Sequence, residues 1–234
     1  MGANVVKRSF GNMASMQIDA SHVLENNSNC VIQGCSSSGK TRLCANLLLH
    51  ADKLFSTPPT LILFCYKTWQ GIYDELMARL PTIQFLPRLP TDEELKSLTS
   101  PHQHSVLVAD DMLREIACSP FFSELFTRMS HHYRITSILL LQNTASQGKF
   151  GSTLSKNCHY TFLMRSPRDQ YSVRSLGLQM GDYRNLQEAY KDATREPFSY
   201  LLISTHPKTP DTLRYRTHVL PSEGVTVCYI SQGK

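Results

Sequence analysis

The chain has 234 residues, of which 41% are hydrophobic and 18% are charged, with a formal net charge of +5 at pH 7. These values are typical of one soluble α/β domain with a sizeable core. The longest apolar runs, such as residues 138–141, are far too short to span a bilayer, and no signal peptide opens the chain. We therefore expect an intracellular protein that is neither secreted nor inserted in a membrane.

The seven cysteines are odd in number and scattered along the chain, and no two of them form a C-x-x-C pair. This pattern is typical of a reducing compartment. It predicts neither a disulfide framework nor a zinc site.

The positive charge is concentrated in the second half of the chain. Residues 1–127 contain 10 Lys and Arg against 12 Asp and Glu, whereas residues 128–218 contain 13 against 6. A basic half behind a near-neutral half is typical of an enzyme that acts on a polyanion. An equally good interpretation is that this positive charge forms a basic surface that only aids solubility.

The N-terminal residues 1–28 are polar and weakly patterned. We predict an irregular lead-in there, followed by a single domain over residues 29–234. The apolar run 30–32 opens that domain and indicates a short buried strand of a parallel sheet.

A glycine-rich loop follows this strand and fits the pattern G-x-x-x-x-G-K-[ST] that wraps the phosphates of a nucleotide. Its eight residues are Gly34, Cys35, Ser36, Ser37, Ser38, Gly39, Lys40 and Thr41. The glycines let backbone N–H groups converge on phosphate oxygens, and Lys40 adds a positive charge near the β- and γ-phosphates. The Thr41 hydroxyl is a candidate ligand for Mg²⁺. A Ser/Gly-rich surface turn is the alternative, and the strand before the loop and helix after it argue against it.

The next elements alternate between helix and strand. Apolar residues at helical spacing predict a helix over about residues 43–54, and the run 61–66 predicts a second buried strand. A helix over 69–80 and a short strand over 83–86 follow. Thr91 and Glu94 have the spacing of a capping box, which predicts the start of another helix.

A second acidic motif ends the apolar run 105–109, where Asp110 and Asp111 follow directly. A strand inside the sheet would bring Asp110 to its carboxyl end, beside Thr41 and the metal. Asp111 is then placed to act as the general base for the attacking water. The alternative is that the two carboxylates only mark the end of a strand and have no catalytic role. Because one strand-helix unit separates them from the glycine-rich loop, as in P-loop ATPases, we favour the catalytic role.

A helix over 121–133 and a buried strand over 136–143 come next, and amides end the strand. Gln142 is a candidate contact for the γ-phosphate or its attacking water. The alternative is that the Gln142 amide only forms hydrogen bonds with the backbone of the loop. The basic loop 146–151, with Lys149, is equally consistent with a nucleic-acid path or a solvated turn.

The last third of the chain predicts a strand over 160–164, a helix near 185–194 and a strand over 200–203. A turn over 221–224 joins the final pair, 213–220 and 225–230, as an antiparallel hairpin. Several arginines follow the first of these strands. Arg168 is the first candidate for an arginine presented to a neighbouring subunit's nucleotide, with Arg134 and Arg128 behind it.

Taken together, these motifs resemble viral genome-packaging ATPases, the poxvirus-type members of the FtsK/HerA superfamily of P-loop NTPases. The resemblance covers roughly residues 28–220. It is carried by residues 34–41, 63–67, 69–76, 106–111, 125–132, 141–143 and 147–149.

The resemblance implies a RecA-like α/β core, with a mostly parallel sheet flanked by helices and the C-terminal β-hairpin. It implies a homo-oligomeric ring that uses ATP and Mg²⁺ to translocate double-stranded DNA into a capsid. It also implies Asp111 as the base and Gln142 as the sensor, whereas many superfamily members carry Glu at the base position. Capsid or portal proteins are then possible partners, and the site of action is a virion-assembly site in the host nucleus or cytoplasm.

Two other functions remain open. A P-loop kinase for a small molecule usually has its acidic strand directly beside the loop strand, without the intervening unit over residues 61–80. A nucleotide-gated assembly protein would bind ATP with little turnover.

Overall fold

The computed structural model describes the chain over residues 8–10, 13–18, 23–126, 133–142, 156–167 and 170–231. Over these ranges one eleven-stranded sheet runs through the molecule, and helices lie on both of its faces. Among the described helices, none is both long and apolar enough to cross a membrane.

The strands are β1 (Arg8–Phe10), β2 (Met13–Ile18), β3 (Asn29–Gln33), β4 (Leu61–Tyr66), β5 (Ile83–Leu86), β6 (Ser105–Asp110), β7 (Ile135–Leu141), β8 (Tyr160–Met164), β9 (Tyr200–Ser204), β10 (Tyr215–Thr217) and β11 (Thr226–Ser231). Their order across the sheet is β1-β2-β11-β10-β9-β8-β3-β7-β6-β4-β5.

The α-helices are α1 (Lys40–Leu49), α2 (Ala51–Leu54), α3 (Gly71–Arg79), α4 (Asp92–Thr99), α5 (Leu113–Cys118), α6 (Pro120–Glu124), α7 (Gln170–Gln179) and α8 (Tyr183–Ala193). Two 3₁₀ turns, Asp211–Leu213 and Pro221–Glu223, flank β10.

Strands β8, β3, β7, β6, β4 and β5 form a parallel half-sheet that is covered on both faces. All residues of β3, β6 and β7 are buried, as expected for strands whose two faces both pack against other elements. Successive residues point to opposite faces, so Cys30 and Ile32 join a core cluster with α1 and α3, and Val31 joins a second cluster with α4 to α6.

The parallel arrangement confirms the predicted α/β fold and positions the site. β7 lies between β3 and β6, pairing Gln33 with Leu141 on one side and Asp110 with Leu140 on the other. The carboxyl ends of these strands therefore meet at one edge of the sheet, which is where ligands bind in open α/β folds.

The remaining strands add an antiparallel half-sheet. β9, β10 and β11 extend the parallel half beyond β8, and the predicted hairpin of β10 and β11 is confirmed by the pairing of Tyr215 with Tyr229. A third core cluster lies between this half and the helices α7 and α8.

The prediction of an irregular lead-in over residues 1–28 is wrong for Arg8–Phe10 and Met13–Ile18. These segments form β1 and β2, and β2 pairs along its whole length with β11. β2 pairs with a strand more than 200 residues away in the chain. The local sequence pattern of the N-terminal strands therefore does not predict them. The division of the chain at residue 28 stays a prediction.

The predicted helices differ from the observed ones mainly at their ends, and α5 and α7 have no predicted counterpart. The capping box is confirmed, because Thr91 Oγ1 accepts from Glu94 N and Glu94 Oε2 accepts from Thr91 N. The helix expected over 69–80 begins at Gly71. The helix expected over 121–133 is shorter, with α6 ending at Glu124, and residues 127–132 lie outside the described ranges.

Candidate nucleotide-binding site

The glycine-rich loop leaves β3 through a position where only glycine fits. Gly34 N donates to Leu141 O at 3.1 Å, which ties the loop to the neighbouring strand. A Cβ on Gly34 would stand 2.6 Å from Met164 Cβ and from Ser38 Oγ. Gly39 has a φ of +96°, a left-handed conformation that favours glycine, and it ends the loop immediately before α1.

Lys40 begins α1, and its ammonium is held inside the loop. Nζ donates to Gly34 O at 2.9 Å and to Cys35 O at 2.8 Å. Burial lowers the pKa of Lys40, and the negative charge of Asp110 opposes this shift. The first N–H groups of a helix lack intrahelical partners, so the start of α1 adds donors and a positive dipole end at the same place.

Asp110, the last residue of β6, is 7% exposed, and one of its oxygens collects three hydrogen bonds. Oδ2 accepts from the Tyr73 hydroxyl at 2.8 Å, from Thr41 Oγ1 at 3.1 Å and from Gln70 Nε2 at 3.3 Å. Burial raises the pKa of the Asp110 carboxyl, while the Tyr73 and Thr41 hydroxyls and the Lys40 charge act to lower that pKa.

An aromatic cluster holds the Tyr73 ring in place. Its ring centroid lies 4.9 Å from that of Phe64, 5.2 Å from Phe85, 5.4 Å from Trp69 and 5.6 Å from Tyr66. Such tilted and edge-on pairs are favourable arrangements for aromatic rings. The cluster therefore fixes where the Tyr73 hydroxyl meets the buried carboxylate.

Asp111 and Gln142 lie at the same edge of the sheet, each directly after a strand. Asp111 is exposed and has a φ of +57°, a conformation that Asp adopts more readily than most residues. Gln142 is exposed and follows β7. Both line a cleft of about 540 Å³ together with Ser36, Ser37, Gly39, Lys40, Thr41, Arg42, Gln70, Gly71, Ile72, Asp110 and Leu140.

The structure brings most of the predicted site residues together. Five of the eight loop residues line the cleft, whereas Gly34 and Ser38 are buried and Cys35 is exposed beside it. The candidate arginine Arg168 lies outside the described residues, as do Arg128 and the loop 146–151. Arg134 precedes β7, at the opposite edge of the sheet from Asp110.

The donors at this edge fit a magnesium ion and a triphosphate. Mg²⁺ prefers oxygen ligands and is usually held by one or two protein groups plus phosphates and water. A hydroxyl and a carboxylate in contact, Thr41 and Asp110, match that preference. No group of three or more His, Cys, Asp or Glu side chains converges to hold a metal among the described residues.

Gln70 and Tyr73 are the site residues to which the sequence analysis gave no role. One signal points to them. β4 pairs with β6 so that Tyr66 lies opposite Asp110, and the residues just after β4 therefore reach the same edge of the sheet. Polar side chains in that short stretch are candidates to contact the carboxylate.

Comparisons with known proteins place this geometry in a known fold. The DNA-packaging ATPase B204 from Sulfolobus turreted icosahedral virus matches over 88% of this chain and 98% of its own, with a TM-score of 0.56 and 13% identity. The genome-packaging NTPase B204 from Sulfolobus turreted icosahedral virus 2, in complex with ATP-gammaS, matches over 86% and 97%, with a TM-score of 0.51 and 13% identity.

The cytoplasmic domain of the type VII secretion ATPase EccC from Thermomonospora curvata matches over 87% of this chain but only 25% of its own, with a TM-score of 0.50 and 13% identity. No family model and no curated protein matches the sequence. At these identities the likeness shows the fold, which is the one implied by the resemblance to packaging ATPases.

The packing at Gly34 predicts that Gly34→Ala lowers the free energy of unfolding by about 1 to 3 kcal/mol, because the added Cβ overpacks the loop. Gly71→Ala is the matched control, since nothing lies within 4 Å of where its Cβ would stand. Chemical denaturation of both variants measures the difference. Equal stability of the two would contradict the packing described for the loop.

The contacts of Asp110 predict that Tyr73→Phe lowers the free energy of unfolding by about 1.5 to 3 kcal/mol, because a buried carboxylate loses a donor. Tyr66→Phe removes a hydroxyl from the same cluster. The described part of the chain shows no hydrogen-bond partner for that hydroxyl. The free energy of unfolding of Tyr66→Phe should therefore stay within about 0.5 kcal/mol of the wild-type value. Denaturation curves that do not separate the two variants would rule out the role of Tyr73.

Proposed function

We propose that this chain hydrolyses ATP with Mg²⁺ and uses the energy to translocate double-stranded DNA into a viral capsid. The observation that carries the proposal is the 3.1 Å contact between Thr41 Oγ1 and Asp110 Oδ2. It joins the phosphate-binding loop to the acidic strand at one edge of the sheet, as a P-loop ATPase requires.

The triphosphate of ATP would lie in the cleft along the loop. Ser36 and Ser37 line the cleft, and the start of α1 adds N–H donors. Lys40 would exchange its two carbonyl partners for phosphate oxygens, which offer a charged acceptor in place of neutral ones.

Thr41 and Asp110 are the residues that would hold the metal. When bound, Mg²⁺ neutralises charge on the phosphates. The Tyr73 and Gln70 donors keep Asp110 oriented toward Thr41. A carboxylate that is buried and already oriented costs little further reorganisation during the reaction.

Asp111 is the proposed general base. It lines the cleft beside Asp110 but is exposed to solvent, so a water molecule can reach it. Its carboxylate would take the proton from that water as the oxygen attacks the γ-phosphorus. Gln142 would orient the water or contact the γ-phosphate with its amide, and Arg168 of a neighbouring subunit would offset developing negative charge.

The DNA and assembly parts of the proposal rest on charge and resemblance. The basic excess of residues 128–218 suits a polyanion, and the resemblance to packaging ATPases implies a homo-oligomeric ring around the duplex. The similarity in fold to the DNA-packaging ATPase B204 supports the same class. Capsid or portal proteins at an intracellular assembly site are the partners that this function needs.

The sheet order argues against a small-molecule kinase. Such kinases usually have the acidic strand directly beside the loop strand, whereas β7 separates β3 from β6 here. This interpretation rests on fold-level analogy. Formation of a phosphorylated small molecule from ATP would reverse it.

The assigned roles predict different defects for two variants. Lys40→Ala should abolish turnover and weaken ATP binding, because the phosphates lose their cation. Asp111→Asn should bind ATP as the wild type does but hydrolyse it at least about 100-fold more slowly, since only the base is lost. Asn adopts a positive φ readily, so the backbone at this position is preserved.

Steady-state phosphate release and equilibrium titration with ATP measure the two effects separately. Undiminished hydrolysis in Lys40→Ala would disprove the site. A full rate in Asp111→Asn would remove Asp111 as the base and leave the nucleotide site intact.

Coupling to DNA predicts that duplex DNA stimulates hydrolysis and that the stimulation fades as salt rises, because phosphate contacts release counterions. Rates are measured with and without duplex over a series of salt concentrations. Equal rates at every salt concentration would contradict coupling. A rate no higher than that of Lys40→Ala, with and without DNA, would favour a nucleotide-gated assembly protein.

A further inference from the structure

A second cavity adjoins the phosphate cleft and is lined in part by α1. It measures about 660 Å³ and shares Gly39 and Arg42 with the cleft, so the two spaces meet at the end of the loop. Among the residues that the structure describes, Lys40, Asp111 and Gln142, which are assigned to hydrolysis, do not line it. A nucleotide whose phosphates contact Lys40 must extend its sugar and base away from the γ-phosphate end, and this cavity is a direct continuation of the cleft.

Phe198 forms one wall of this cavity in an unusual conformation. Its side chain is 68% exposed, and its φ is +63°, a left-handed value that a bulky residue rarely adopts. Its ring carbon Cδ1 lies 3.2 Å from where a Cβ on Gly39 would stand. The absence of a side chain at Gly39 therefore lets the ring lie close to the end of the phosphate loop.

Backbone strain is concentrated around these two spaces. Six non-glycine residues in the described ranges have a positive φ, and four of them line the cleft or the adjoining cavity. The four are Ser37, Asp111, Phe198 and His218. Such conformations cost free energy and persist where the surroundings impose them, which occurs preferentially at ligand sites.

The chemistry of the walls suits a flat heterocycle. Leu43, Pro197 and Leu220 add apolar surface beside the Phe198 ring. Glu223 supplies a fixed acceptor, because its Oε2 accepts from the Tyr200 hydroxyl at 2.6 Å and from Leu220 N at 3.0 Å. Neither of these bonds uses Oε1. An aromatic face with a carboxylate oxygen nearby matches a purine that carries an exocyclic amino group.

We propose that this cavity binds the adenine base of the nucleotide, with Phe198 stacking on the ring and Glu223 accepting from its amino group. The proposal rests on the proposed function, since it takes the phosphates to lie on the loop. It assigns the affinity for the base to residues that are separate from those that bind phosphate.

The test compares ATP with tripolyphosphate, which carries the phosphates without a base. Phe198→Gly removes the ring and suits the positive φ, so the fold is preserved. Loss of one base–ring stack should weaken ATP binding about tenfold and leave tripolyphosphate binding unchanged. Phe198→Tyr keeps an aromatic ring and should therefore bind ATP with about the wild-type affinity. Tyr171→Ala is the matched control, because Tyr171 is another exposed ring, 69% accessible on α7, away from both cavities.

Isothermal titration of each variant with both ligands separates the outcomes. Equal weakening of ATP and tripolyphosphate would overturn the base site, because Phe198 would then support the loop alone. Unchanged ATP affinity would overturn it as well. Failure of the wild-type chain to bind either ligand would overturn the proposed function together with this inference, whereas the two preceding results leave the proposed function intact.

Discussion

A single carboxylate oxygen connects the parts of this molecule that matter for its chemistry. Asp110 Oδ2 receives donors from the end of the phosphate loop, from α3 and from the residue just before α3. An ionised group that is buried this deeply is costly unless it is hydrogen-bonded or binds a cation. The position of β6 inside the sheet, the aromatic cluster around Tyr73 and the contact with Thr41 together satisfy that requirement.

The sequence predicts those parts of the fold and site that depend on local patterns. Buried strands appear as apolar runs, and the loop and the acidic strand contain their own chemical signatures. Lys40 and Asp111, which both line the cleft, are therefore predicted as site residues without coordinates. The pairing of β2 with β11 and the approach of Tyr73 to Asp110 join segments far apart in the chain. Helix α7 has no predicted counterpart, although Val173 and Leu176 stand at helical spacing, because Gly177, a poor helix former, lies inside it.

The positions of the residues with positive φ separate the part of the structure that provides stability from the part that lines the two cavities. The buried parallel strands adopt ordinary extended geometry and supply the core. Four residues with positive φ values line the two cavities, namely Ser37, Asp111, Phe198 and His218. The rigid sheet thus supports strained loops at its carboxyl edge, an arrangement that pre-organises side chains before substrate arrives.

The most direct test of this account is a structure of the chain crystallised with Mg²⁺ and ATP-gammaS. The account predicts the metal within bonding distance of Thr41 Oγ1 and beside the Asp110 carboxylate, with Lys40 Nζ moved from the carbonyls of Gly34 and Cys35 to the phosphates. A metal bound away from both Thr41 and Asp110, or a nucleotide whose phosphates do not contact the loop, would contradict it.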